Sequence, residues 1–227
     1  MSGPRRTRAR ARSLLSFLQP QVLERRRTEH NPMLQVIEVN GQRRLDGLTV
    51  NYSCGSLERV LADAFAELEL ERRPVGNALL LGFGAGSAVR LLRRSHGRDV
   101  RFTAVEIDPV VIELARRWFA FDGDAGVEFV EADARAFVTT CERRFDLVLV
   151  DVFVDECVPK SLHGADFARE AGALVRPGGR LVFNTLADSV ARVHESEAIE
   201  RALRSALGHV ERLDVRTNRV FAWEAPA

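Results

Sequence analysis

Lysine is almost absent from this chain of 227 residues: of its 33 basic residues only Lys160 is a lysine. The bias towards arginine reaches every region, so it reads as a compositional habit rather than a functional choice. Cysteine is also scarce. Cys54, Cys141 and Cys157 are odd in number, widely spaced and not in pairs. That excludes a disulfide scaffold and a cysteine metal site, and it fits a reducing, cytoplasmic setting. No apolar run approaches the ~18–20 residues a membrane-crossing helix needs. The longest, 78–83, is the size of a strand. His30, His96, His163, His194 and His209 show no ligand spacing with cysteines or acids, so no metal is expected. With 46% apolar residues the chain is neither disordered nor collagen-like, and its length suits one domain with a real core.

Acid is missing from the first 23 residues. Up to residue 32 the chain carries eight arginines against Glu24 and Glu29, a charge of +6, which leaves −5 for the remainder. Residues 1–32 therefore form a basic arm, expected to be partly disordered and partly helical. Leu14, Leu15, Phe17, Leu18, Val22 and Leu23 line one face of a short helix pair broken at Pro20. The arm could meet an anionic partner, serve as an organelle presequence, or dock on the acidic body or on a second subunit of a homodimer. Its plainest reading is a solvated tail with a docking helix. No aromatic-interleaved basic surface follows, which argues against nucleic acid.

Residues 33–56 read as a β-hairpin appendage. The runs 36–39 and 42–45 flank Asn40-Gly41, which supplies the two positive-φ positions of a type I′ turn. Residues 48–52 are a further candidate strand, and 57–70 carry helical periodicity. Residues 57–227 read as one Rossmann-like domain. Strands are expected at 78–81, 100–105, 127–130, 145–150 and 180–184. Helices are expected at 87–94, 109–119, 134–140, 167–175 and 193–207. The helix 167–175 is stopped by Pro177-Gly178-Gly179, and a hairpin at 210–215 and 220–223 closes the chain. This alternation predicts an α/β fold: a doubly wound, seven-stranded, mostly parallel sheet with a C-terminal antiparallel hairpin.

Gly82-Phe83-Gly84-Ala85-Gly86 follows the first core strand and opens a helix. Glycine permits the sharp turn and the close approach of a ligand. A dinucleotide fingerprint wants its third glycine three residues after the second. Here Gly86 comes two after, which suits an adenosine ligand with a charged amino-acid-like arm better than a pyrophosphate. Glu106 ends the second strand, 20 residues after Gly86, where a carboxylate can accept hydrogen bonds from both ribose hydroxyls. Asp108 should cap the helix that Pro109 begins. Asp133 and Ala134 end the third strand, where the carboxylate can accept from an adenine amine. Asp151 ends the fourth strand. Four consecutive strands thus end in glycine or acid at the edge where open parallel sheets bind ligands. Phe83 either shapes this pocket or packs beneath it. Cys157 and His163 read as incidental loop residues.

The segments Leu80-Leu81-Gly82-Phe83-Gly84-Ala85-Gly86-Ser87, Val105-Glu106-Ile107-Asp108-Pro109 and Glu131-Ala132-Asp133-Ala134 resemble the class I S-adenosylmethionine-dependent transferases. Phe145-Asp146-Leu147-Val148-Leu149-Val150-Asp151-Val152-Phe153, with Val158-Pro159, Leu162, Phe167, Pro177-Gly178-Gly179 and Asn184, resembles the spermidine synthase family. The likeness is to its bacterial branch with Asp-Val-Phe at this point, and it covers 34–223. It implies decarboxylated S-adenosylmethionine or S-adenosylmethionine as cofactor, with an aminopropyl group passed to a small-molecule amine. It implies Asp151 as the catalytic carboxylate. It also implies a second acid, for which Asp155, one residue beyond the family's position and without a following proline, is the nearest match. A glutamine after Leu45-Asp46-Gly47 and a Tyr-x-Glu before the first helix are missing. Ala85 replaces the aspartate of the family's glycine loop, and its loss could admit S-adenosylmethionine itself. Two alternatives stand beside aminopropyl transfer: a methyltransferase on a small acceptor, and a nucleotide-binding or interaction module without turnover.

Overall fold

A computed structural model describes residues 16–47, 56–154 and 156–227. The candidate strand at 48–52, residues 1–15 of the arm, Cys54 and Asp155 lie outside the described residues. The secondary structure runs β1 (Gln21–Arg26), β2 (Leu34–Val39), β3 (Gln42–Asp46), α1 (Ser56–Glu67), β4 (Asn77–Leu81), α2 (Ser87–His96), β5 (Arg101–Glu106) and α3 (Pro109–Trp118). It continues with β6 (Val127–Glu131), α4 (Ala134–Thr140), β7 (Phe145–Val150), α5 (Ala165–Ala173), β8 (Val175–Leu186), α6 (Val190–Leu207), β9 (Glu211–Val215) and β10 (Asn218–Glu224).

The main sheet has seven strands in the order β6-β5-β4-β7-β8-β10-β9. β4 to β8 pair in parallel, and β10 runs antiparallel to β8 and β9. Adjacent residues of a strand face opposite sides, so a central strand must be apolar throughout. β4 shows this: Ala78 and Leu80 join α1 and α2 on one face, while Leu79 and Leu81 join α4, α5 and α6 on the other. The chain winds outward from β4 to β6 and then returns to the far side of β4 as β7. That reversal opens a crevice at the carboxyl ends of β4 and β7, where an open α/β sheet accepts a ligand.

The predicted type I′ turn is present, with Asn40 at φ 50° and Gly41 at φ 73° between paired Val39 and Gln42. Two expectations need correction. Val22 and Leu23 lie in a strand, not a helix: β1 pairs antiparallel with β2, with a bulge between Val22 and Glu24, and turns the appendage into a three-stranded sheet. Leu23 packs beside the α3 cluster and Glu24 accepts from the Trp118 indole at 2.7 Å, so tertiary partners override the local helical pattern. The helix expected at 167–175 ends at Ala173, and Pro177-Gly178-Gly179 lies inside β8 as an irregular stretch. Gly178 donates to Ala225 O and Ala225 donates to Gly179 O, so this segment is paired backbone, not a loop. A Cβ on Gly179 would meet Asp146 O at 2.8 Å.

The small sheet sits on α3 and the glycine loop. Leu34, Val36 and Leu45 form one buried cluster with Ala85, Val111 and Leu114. Arg26 pairs with Glu113, and Arg43 donates to Trp118 O.

Candidate functional site

Gly82, Gly84 and Gly86 all have positive φ, at 82°, 57° and 75°. Two of them also have no room for a side chain. A Cβ on Gly82 would stand 2.3 Å from Asp151 O, and one on Gly86 would stand 2.3 Å from Phe121 Cζ. The glycine loop is therefore pressed against the end of β7 on one side and an aromatic floor on the other. That floor is Phe83, Phe121 and Phe129 in edge-to-face contact, with centroids 4.8–6.3 Å apart. Phe83 packs under the loop. Ala85 is buried where the loop meets the appendage.

Glu106 is buried at the end of β5. Its Oε2 accepts from the backbone N–H groups of Phe83 and Gly84 at 3.2 and 3.3 Å, and Oε1 accepts from Asp108 N at 3.2 Å. Burial raises the pKa of this carboxyl above its ordinary value, the three backbone donors oppose that rise, and the nearby Asp108 charge adds to it. Asp108 caps α3 as expected, Oδ1 accepting from Val110 N at 3.0 Å. Asp133 is exposed and caps α4 through Ala136 N at 2.9 Å, with Ala134 buried beside it as the first helical residue. The glycine loop, Glu106 and Asp108 are thus one hydrogen-bonded unit. Asp133 stands at the end of the outermost of these strands, two strands from the loop in the sheet order.

Asp151 follows β7 directly, its N–H donating to Leu81 O at 2.8 Å. Its Oδ1 accepts from Asn184 Nδ2 at 2.8 Å, and Asn184 Oδ1 accepts from Asn218 Nδ2 at 3.0 Å. Both asparagines are buried. Withdrawal from solvent raises the Asp151 pKa to about 6, against the lowering effect of the Asn184 hydrogen bond. A carboxyl near 6 is poised to exchange a proton close to neutral pH.

The chain after Asp151 is a tight turn with an isolated Val154–Cys157 bridge and Glu156 at φ 66°. Arg192, at the start of α6, pairs with Glu156 and with Asp188. Glu195 accepts from Val158 N at 3.2 Å, and His163 Nε2 lies 2.8 Å from Val158 O and 3.6 Å from Glu195. His163 and Glu195 therefore fasten this loop to α6. Cys157 is exposed. A separate cleft of about 660 Å³ runs between α3 and β6, lined by Ile112, Arg116 and Phe129 among others; Gly82, Glu106, Asp133 and Asp151 are not in its lining.

The sequence reading missed Asn218 and gave Asn184 no role. Thr28 and Asn31 were also missed: both donate to Asp108 Oδ2 at 2.6 Å. Nothing local marks them, since their partners lie 77 and 80 residues away in the chain.

Comparison with known proteins adds to this geometry. A family model described as a methyltransferase domain matches residues 78–179. A polyamine aminopropyltransferase of Vibrio vulnificus is 32% identical over 121 residues, which are 52% of this chain and 40% of that protein. The spermidine synthase of Thermotoga maritima superposes with a TM-score of 0.73 at 16% identity, over 90% of this chain and 72% of that one. In sequence the chain is similar to polyamine aminopropyltransferases, and in fold to spermidine synthases. An eEF1A lysine and N-terminal methyltransferase homolog of Drosophila pseudoobscura is also similar, at 30% identity over 48% of this chain and 17% of that one. The match spans less than half the length of these curated relatives. The methyltransferase-domain match runs from β4 into β8 and includes Gly82, Glu106, Asp133 and Asp151. Among the described residues no helix is long and apolar enough to cross a membrane.

Proposed function

We propose that this chain binds an S-adenosyl nucleotide at the carboxyl ends of β4, β5 and β6 and passes an aminopropyl group to a small amine. The observation that carries the reading is the contact between the two halves of the site. Gly82 of the nucleotide loop abuts Asp151, and Asp151 carries a carboxyl raised to about 6.

The residues fit such a ligand. Gly82, Gly84 and Gly86 let the backbone approach it without side chains in the way. Glu106 Oε2 is filled by two backbone donors, while Oε1 has one and keeps capacity for a ribose hydroxyl. Ile107, 39% exposed beside Glu106, offers an apolar surface to the adenine. Asp133 uses Oδ1 for its cap and can accept the adenine amine. Bound there, the nucleotide supplies an electrophilic carbon on its sulfonium. Asp151 is ionised at neutral pH, so it can hold a protonated amine in line and accept the proton that must leave before attack. Asn184 fixes the carboxylate, and Asn218 fixes the Asn184 amide so that its NH₂ group faces Asp151. Asp155 is proposed as a contact to the acceptor.

Methyl transfer is the second reading. It is favoured by the methyltransferase-domain match and by Ala85, which puts an apolar methyl where the family carries an acid. Titration with S-adenosylmethionine and its decarboxylated form, followed by product analysis with putrescine and spermidine, separates the two. Elongated polyamine formed from the decarboxylated nucleotide supports aminopropyl transfer. Tight S-adenosylmethionine binding without amine product moves the assignment to methyl transfer.

A further inference from the structure

Asp108 is completely buried, yet it is a carboxylate two residues from another buried carboxylate, Glu106. Two such groups at the end of one strand repel each other unless each is compensated by donors. Val110 N compensates one Asp108 oxygen. The other receives two donors, the Thr28 hydroxyl and the Asn31 amide, both at 2.6 Å. These belong to the turn between β1 and β2, in the appendage rather than in the Rossmann-like domain.

That turn is itself fixed. Thr28 N donates to Asn31 O, and Asn31 N donates to Thr28 Oγ1, both at 2.9 Å. Its flanking strand is clamped to α3 by the Arg26–Glu113 pair and by the indole of Trp118 on Glu24. From Asp108 the connection continues inward. Asp108 N donates to Glu106 Oε1, and Glu106 Oε2 receives the N–H groups of the glycine loop. One chain of hydrogen bonds therefore runs from Thr28 and Asn31 to Gly84.

We propose that the β1–β2 turn is a working part of the nucleotide site, with Thr28 and Asn31 as positioning residues that hold Glu106 for a ribose hydroxyl by way of Asp108. The inference rests on the nucleotide reading of Glu106. If Asn31 loses its amide, Asp108 Oδ2 keeps a single donor in a dry setting, and the Asp108–Glu106 repulsion rises. The 106–108 segment then shifts away from the glycine loop, and the ribose contact is lost. The effect belongs to ribose binding and not to the adenine or the amino-acid arm.

The test uses the full chain and two probes, 5′-methylthioadenosine and its 2′,3′-dideoxy counterpart, titrated by calorimetry. Asn31→Leu and the isosteric Thr28→Val should each weaken 5′-methylthioadenosine about tenfold, the loss expected when a charged hydrogen bond is removed. Thr28→Ser should restore wild-type affinity. None of the three should change the dideoxy ligand's affinity by more than about twofold. Unchanged affinity for 5′-methylthioadenosine in both Asn31→Leu and Thr28→Val overturns the proposal, and so do equal losses for both ligands. Glu106→Gln in the same titration separates the two levels. If it too binds 5′-methylthioadenosine like wild type, the reading of Glu106 has failed; if it binds weakly while the turn variants do not, only the role of the turn has failed.

Discussion

The two halves of the site are built from different material. On the nucleotide side, Glu106 and Asp133 are held by backbone N–H groups, Asp108 takes one backbone donor beside the Thr28 and Asn31 side chains, and Gly82 and Gly86 of the loop have no room for a side chain. On the acceptor side, Asp151 has a side-chain donor, Asn184, and the loop beyond it is fastened by the side chains of Arg192, His163 and Glu195. Backbone donors are fixed by the fold, whereas side-chain donors change with a single substitution. Glu106 and Asp133 should therefore tolerate substitution around them better than Asp151 does. The motif departures fall on the same line: the acids and glycines of the nucleotide half are kept, and the polyamine-binding elements are largely missing.

The largest expected effect breaks the acceptor half alone. Asp151→Asn keeps an acceptor for Asn184 but removes the base, so turnover should fall by about 10²-fold or more while nucleotide affinity stays within about twofold. The wild-type rate should rise through pH of about 6 as Asp151 ionises, and the variant should lack that limb. Stability should move the other way. A carboxyl raised from 3.8 to about 6 in the folded state favours folding below 3.8, and that contribution is lost as pH rises to 6. Replacing it should therefore stabilise the fold by at most about 3 kcal/mol at pH 8, with the gain shrinking towards pH 4. Urea unfolding of both proteins across that range reads the difference. An unchanged gap at both ends would contradict the buried-carboxylate account.

A smaller effect should reach both halves together. Gly82→Ala places a Cβ 2.3 Å from Asp151 O at a φ of 82°. The left-handed conformation alone costs about 1–3 kcal/mol, and the backbone clash must also be relieved. Nucleotide affinity and turnover should fall together, because the loop and Asp151 move as one. Loss of either without the other would show that the two halves are independent.

What the sequence made legible is what short spacing controls. Asn40-Gly41 announced its turn, Asp108-Pro109 its helix start, and the strands β4 to β7 their apolar runs and terminal glycine or acid. The seven-stranded sheet followed from these. Longer-range partners escaped. β1 looked helical because Leu23 and Val22 share a helical face, yet pairing with β2 prevails. Pro177-Gly178-Gly179 looked like a helix stop, yet its backbone pairs with Ala225. Asn218 reaches Asn184 on the neighbouring strand, 34 residues apart in the chain. Thr28 and Asn31 act through a residue of another layer. None of these has a local signature, because the partner that gives each its role is supplied only by the fold.

The central claim is that Glu106, held on the glycine loop, carries the nucleotide through its ribose. Calorimetric titration of wild type and Glu106→Ala with S-adenosylmethionine and its decarboxylated form tests it most directly. Removing a charged hydrogen bond to the ribose predicts a loss of about tenfold or more for whichever nucleotide the wild type binds. Affinity unchanged in a folded Glu106→Ala protein would contradict the account.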